Sequence, residues 1–101
     1  MAVISINTTD SKKVEVGLRT SEKEDKVIEE IDKRSSQRVL LLIDFLLRQN
    51  NLSISEIDEI RVSSGPGSFT GIKVGVSIAN ALGFALGVPV NGKSQAKPKY
   101  E

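Results

Sequence analysis

From Val74 to Gly92 the chain carries no charged residue, and Lys73 and Lys93 bracket the run. A stretch this long and uncharged belongs either in a bilayer or in a packed interior. A membrane-spanning helix needs about 20 mostly apolar residues. This run contains Gly75, Ser77, Asn80, Gly83, Gly87 and Asn91, and Pro89 cuts any helix short. It reads better as a helix buried inside the protein or between two proteins. The N-terminus, MAVISINTTD, has no basic region, long apolar stretch or small-residue cleavage site, so it is not a secretory signal. With 101 residues the chain has room for one domain around one core.

Composition narrows the chemistry. Apolar residues make up 39% and charged residues 27%, which is ordinary for a globular chain. Lys plus Arg number 14 against 13 Asp plus Glu, a net charge of +1. That balance gives no broad field to draw in nucleic acid or an anionic membrane, so strong direct nucleic-acid binding is not expected. Cysteine and histidine are both absent. There can be no disulfide framework, which fits the cytoplasm. His- and Cys-ligated zinc, Ser-His-Asp and Cys-His nucleophile systems and a neutral-pH imidazole switch are all excluded.

The hydrophobic period changes once along the chain. Ala2, Ile4 and Ile6 alternate with Val3, Ser5 and Asn7, and Val14, Val16 and Leu18 alternate with Glu15, Gly17 and Arg19. Both are half-buried strands. Thr20–Asp25 reads as a charged turn, and Lys26–Asp32 as a weaker third strand with Val27, Ile28 and Ile31 among acids. Ser35 or Ser36 can then cap a helix to about Gln49, ending at Asn50–Asn51. Val39, Leu42, Ile43 and Leu46 form its sheet-facing stripe, and Leu40, Leu41, Phe45 and Leu47 lie beyond it. That is more apolar surface than one sheet face can cover. Ser53 to Glu56 fits a capping box. Ile60 and Val62 mark a fourth strand, residues 69–86 a second helix, and Val88–Val90 a short last strand.

The order βββαβαβ predicts an α/β fold with a mixed sheet. Right-handed crossovers place both helices on one face. Ser5, Glu15, Arg19, Glu59, Arg61 and Ser63 then line the other face, which is too polar to be buried. Residues 1–92 form the domain, and 93–101 a polar, Lys-rich tail.

Gly65-Pro66-Gly67-Ser68-Phe69-Thr70-Gly71 joins the fourth strand to the second helix, where phosphate loops are found. The P-loop spacing fails because no Gly-Lys-Ser/Thr follows. The dinucleotide spacing fails because Gly71 comes one place late. Ser68 has no histidine to activate it and lies in the wrong spacing for a nucleophile elbow. Ser68 as helix cap, with glycines in a tight turn, accounts for the segment by spacing alone.

As a whole, SSGPGSFTGIKVGVSIANALGFALGVPV resembles the signature of the TsaB family, a subunit of the machinery that makes threonylcarbamoyladenosine in tRNA. The resemblance rests on Gly65–Gly71, Ile72, Lys73, Gly75-Val76-Ser77 and Gly87-Val88-Pro89. Upstream, Asn7-Thr8-Thr9, Ser36-Gln37, Ile43-Asp44, Leu46-Leu47 and Leu52-Ser53 follow the family order. The resemblance implies a ribonuclease-H-like lobe of the actin-like ATPase superfamily. Family members are about twice this length, which leaves two readings, a natural minimal version or a chain cut near residue 92.

The departures bear on activity. Where the family's first strand ends in an aspartate, this chain has Asn7; Ser35 and Leu41 stand where histidine and proline are frequent. A neutral amide lacks the hard anionic oxygen that Mg²⁺ prefers. Thr8-Thr9 also lacks the glycine that would let a turn wrap phosphate. The expectation is therefore no catalysis, no cofactor and no metal. An older peptidase label in this superfamily would need a site the missing histidines cannot supply.

The second helix points to an interface. Gly71, Gly75, Ala79, Gly83 and Gly87 recur every four residues, a ridge that lets another backbone approach. It packs either on the chain's own sheet or against a partner. The residues expected to bind a partner are Leu41, Phe45, Phe69, Ile72, Gly75, Val76, Ala79 and Gly83. The resemblance implies pairing of these helices with a second copy or with the related catalytic subunit, TsaD. The reading is a non-catalytic scaffold or activator in tRNA threonylcarbamoyladenosine synthesis, with a TsaD-type subunit and a TsaE-type ATPase as partners and a homodimer when alone. The alternatives are an actin-like nucleotide-binding enzyme fragment and a homodimeric interaction module.

Overall fold

The structure, a computed structural model, describes residues 1–30 and 36–93. The strands are β1 (Ala2–Asn7), β2 (Lys13–Thr20), β3 (Glu24–Glu30) and β4 (Glu59–Val62), with helices α1 (Ser36–Gln49) and α2 (Phe69–Leu86). They form one sheet in the order β3-β2-β1-β4. The first three strands are an antiparallel meander and β4 runs parallel to β1. Register sets the core directly. Leu18, Ile4 and Ile60 lie side by side across three strands, as do Val16, Ile6 and Val62. All six are buried, in one cluster with Val39, Leu42, Ile43 and Leu46 of α1 and Ile72, Val76, Ile78 and Ala79 of α2. Both helices therefore cover the same face.

The opposite face is open. Ser5, Arg19 and Arg61 are exposed, and Glu15, Glu59 and Ser63 are half-exposed. Arg19–Glu24 at 3.4 Å, Lys26–Glu15 at 3.6 Å and Arg61–Glu59 at 3.4 Å lace this face with ion pairs. Such solvated pairs contribute about 0–1 kcal/mol each. Their main effect is to keep the face wetted.

β3 begins at Glu24, two residues earlier than the apolar pattern predicts, because the turn is only Ser21–Lys23. Ile31, Asp32 and Ser35 lie outside the described residues. Register explains the weak signal of this strand. Its helix-side positions are Asp25, Val27 and Glu29, opposite Leu18, Val16 and Val14. Only Val27 is apolar. Glu29 accepts hydrogen bonds from Arg38 near the start of α1, with Nε at 2.8 Å and a second guanidinium contact at 2.6 Å. That carboxylate holds the Arg38 guanidinium above its ordinary pKa, through the hydrogen bond first and charge second. At the other end of α1, the Asn50 side-chain N–H₂ donates to Asp25 at 2.9 Å. The helix is thus tied to an acidic strand by polar contacts at both ends.

Two further expectations are corrected. Leu47 is buried, only 4% exposed, because it takes part in the core rather than widening an outer patch. The predicted last strand at 88–90 shrinks to single bridges, Val90 to Ile60 and Val90 to Lys93. Pro89 has no N–H to donate, and the chain reverses at once through Asn91 and Gly92, whose φ values are 52° and 77°. Of the predicted tail only Lys93 lies within the described residues.

Candidate partner-binding surface

The eight residues expected at an interface divide by helix face. Leu41 and Phe45 on α1 are each 50% exposed, and Phe69 at the start of α2 is 57% exposed. Ile72, Gly75, Val76, Ala79 and Gly83 face inward and are buried in the chain's own core. For these five the interface expectation is corrected. Gly75 lies so close to the Thr8 Oγ1 that a methyl group there would collide with it, and Val62 Cγ2 is 3.4 Å from the same point. A methyl group on Gly83 would meet Val90 Cγ2 at 2.5 Å and the Val88 carbonyl at 3.1 Å. Gly75 and Gly83 thus let α2 lie close against Thr8, Val62 of β4 and the Val88–Val90 segment that follows the helix.

The outward face of α2 has a different composition. Thr70, Lys73, Ser77, Ala81, Phe84 and Ala85 are exposed, and Phe84 is 90% exposed. Lys73 Nζ sits 5.3 Å from the centre of the Phe69 ring, so the charge lies over the aromatic face. With Leu40, Leu41 and Phe45 of α1, this places five large apolar side chains on the helical layer with no core to enter. Groups of this kind mark interaction sites on soluble proteins. Ser77, Ala81 and Ala85 recur at four-residue spacing between them, small enough for another helix to approach. Sequence reasoning followed the glycines and passed over this second ridge. The available signal was energetic: exposed glycines cost a helix about 1 kcal/mol each, so glycines belong inside and alanines outside. By length and composition α2 is the one described helix able to cross a membrane. Its inner face is occupied by the core.

At the end of the sheet where a nucleotide would be sought, two loops of the chain bond to each other. Asn7 Oδ1 accepts from the Thr9 N–H at 3.0 Å and the Thr9 hydroxyl at 2.8 Å, closing its own loop. Thr8, fully buried, donates its hydroxyl to the Gly71 carbonyl at 2.5 Å. The Ser68 N–H donates to the Thr9 carbonyl at 2.8 Å, and Gly67 is wedged against Thr9. Ser68 Oγ accepts from the Gly71 N–H at 3.3 Å, the expected helix cap. The two loops that would hold phosphates are therefore zipped to each other. Beside them an open cleft of about 290 Å³ is lined by Ser5, Asn7, Glu15, Arg61, Ser63 and Asn91. Its one carboxylate, Glu15, pairs with Lys26. No group of three or more His, Cys, Asp or Glu able to hold a metal occurs among the described residues.

Comparison with known proteins bears on the family and the fold. A family model described as TsaD, tRNA N6-adenosine threonylcarbamoyltransferase, matches residues 23–95. The tRNA threonylcarbamoyladenosine biosynthesis protein TsaB of Haemophilus influenzae is 39% identical over 64 residues, 62% of this chain and 27% of that protein. Its Bacillus subtilis counterpart is 33% identical over 76 residues, 71% of this chain and 33% of that protein. The solved structure of YeaZ from Pseudomonas aeruginosa superposes with a TM-score of 0.82 at 28% identity, covering 88% of this chain and 41% of that one. The chain thus spans about a quarter to a third of the curated relatives it matches.

Proposed function

We propose a function from one premise: the chain belongs to the tRNA N6-adenosine threonylcarbamoyltransferase family, and within it is TsaB-like, with the α/β lobe of the actin-like ATPase fold. The relatives it matches are tRNA threonylcarbamoyladenosine biosynthesis proteins, which supports a role in that process. Within that process its role is that of a non-catalytic scaffold. It holds and activates a TsaD-type catalytic subunit, and a TsaE-type ATPase joins the assembly. Substrate chemistry and tRNA contact fall to the partners, and the assembly works in the cytoplasm.

The observation that carries this reading is the outward face of the two helices. Leu40, Leu41, Phe45, Phe69 and Phe84 are 45–90% exposed on one layer, with small residues of α2 between them. A helical pair from a related lobe would complete a four-helix layer over them. In the absence of that partner a second copy fits the same surface, because a self-complementary patch closes with two-fold symmetry. The occupied loop at Asn7–Thr9 supports a scaffold role over an enzyme.

Purification of the tagged chain from its source cell tests the assignment, with mass spectrometry of what comes with it. A TsaD-type subunit recovered with wild type and lost with Phe84→Glu supports the reading. Recovery undiminished by Phe84→Glu places the contact elsewhere and overturns it.

A further inference from the structure

Asn91 is followed directly by Gly92, the one Asn-Gly pair in the chain. An asparagine side chain carries an electrophilic carbon, and the nearest nucleophile to it is the backbone nitrogen of the next residue. Most residues crowd that nitrogen with a side chain; glycine has no Cβ and does not. Asparagine is for this reason chemically labile. Both residues of the pair are exposed, in a two-residue turn with φ of 52° and 77°.

The fold holds the reacting group by other bonds. Asn91 Oδ1 accepts from the Val62 N–H at 2.9 Å, and its Nδ2 donates to the Val62 carbonyl at 2.9 Å. The carboxamide is thus bonded to the backbone of β4 through both of its polar atoms. The main chain is held as well. The Asn91 N–H donates to the Ile60 carbonyl at 2.8 Å, and Val90 and Lys93 exchange hydrogen bonds of 2.6 and 3.0 Å across the turn. These contacts fix the torsions that must rotate before Cγ can meet the Gly92 nitrogen. They also hold Nδ2, the group that must leave.

We infer that Asn91–Gly92 is a self-modification site gated by the edge of β4. It is unreactive while the carboxamide is bonded to Val62, and it converts to aspartate or isoaspartate when that contact opens. The Gly92 nitrogen, its proton lost to solvent base, bonds to Asn91 Cγ; the Cγ–Nδ2 bond breaks, and Nδ2 takes up a proton and leaves as ammonia. Water then opens the five-membered imide. Attack at the side-chain carbonyl gives aspartate, and attack at the main-chain carbonyl gives isoaspartate. The sum is one water consumed and one ammonia released, with nothing oxidised or reduced. The change runs one way. Its product has no Nδ2 to donate to the Val62 carbonyl and sets a carboxylate there instead, and isoaspartate adds a methylene to the main chain of the turn. An opening of this edge is therefore recorded in the chain. No partner takes part, so the site stands or falls apart from the proposed function.

The gate can be loosened without touching the pair. Val88–Val90 packs on Gly83 of α2, where an added methyl group would meet Val90 Cγ2 at 2.5 Å and the Val88 carbonyl at 3.1 Å. Mass spectrometry of the purified chain held at neutral pH follows the conversion at residue 91, with the same chain unfolded in urea as reference. In urea the site should convert to aspartate and isoaspartate. In the folded chain conversion should be at least about tenfold slower, because two side-chain hydrogen bonds must open first. Gly83→Ala, its fold checked by circular dichroism, should bring the folded rate back toward the reference; if that variant fails to fold, the first comparison decides. Conversion as fast folded as unfolded, or a slow rate that a folded Gly83→Ala chain leaves unchanged, overturns the gate. No conversion in urea overturns the site.

Discussion

Thr8 is the one fully buried polar side chain among the described residues, and its hydroxyl explains a glycine far away in sequence. The hydroxyl donates to the Gly71 carbonyl and occupies the space a Cβ on residue 75 would need. Gly75→Ala should therefore destabilise the fold by about 1–3 kcal/mol, despite the gain of up to about 1 kcal/mol that alanine brings to a helix. Adding Thr8→Ala removes the obstruction and should recover part of the loss, so the double mutant should be less destabilised than the two single losses summed. Equilibrium denaturation of the four chains measures this; additivity would contradict the contact. None of it was legible in sequence. The spacing of the glycines marked a close approach, but only the fold shows that the approaching group is Thr8 and not a partner.

At the scale of elements, alternation was enough to find β1, β2 and β4, because each presents apolar residues to the helices at every second position. β3 gave a weak signal for a physical reason: two of its three helix-side residues are acids, satisfied by Arg38 and Asn50 of a later element. The last strand was over-read because apolar residues at 88 and 90 match a strand template, while Pro89 and the Asn91–Gly92 turn stop it after one bridge. The helices separate stability from association. Phe84 is 90% exposed and outside the core, so Phe84→Glu should leave thermal stability within about 0.5 kcal/mol of wild type. The same change buries an unpaired charge in any helix-to-helix contact, so the proposed dimer of wild type should give way to a folded monomer. Light scattering beside a thermal melt checks both. Wild type remaining monomeric at tens of micromolar would contradict the helix-pairing surface.

At the largest scale the described lobe has one sheet face laced with ion pairs and the other roofed by helices whose outer sides carry apolar residues. The cleft at the strand ends holds Asn7 in its own turn and one paired carboxylate, which is a poor seat for Mg²⁺-bound phosphates. Calorimetry with Mg-ATP should accordingly find no micromolar binding to the isolated chain. On the proposed function the outer faces of α1 and α2 receive a TsaD-type lobe. Titration of a purified TsaD-type subunit from the same cell into this chain tests it most directly. Wild type should form a complex, and Phe45→Glu and Phe84→Glu should each weaken it at least about tenfold, or roughly 1.4 kcal/mol. No complex with wild type at tens of micromolar, or a complex indifferent to both substitutions, would contradict the claim.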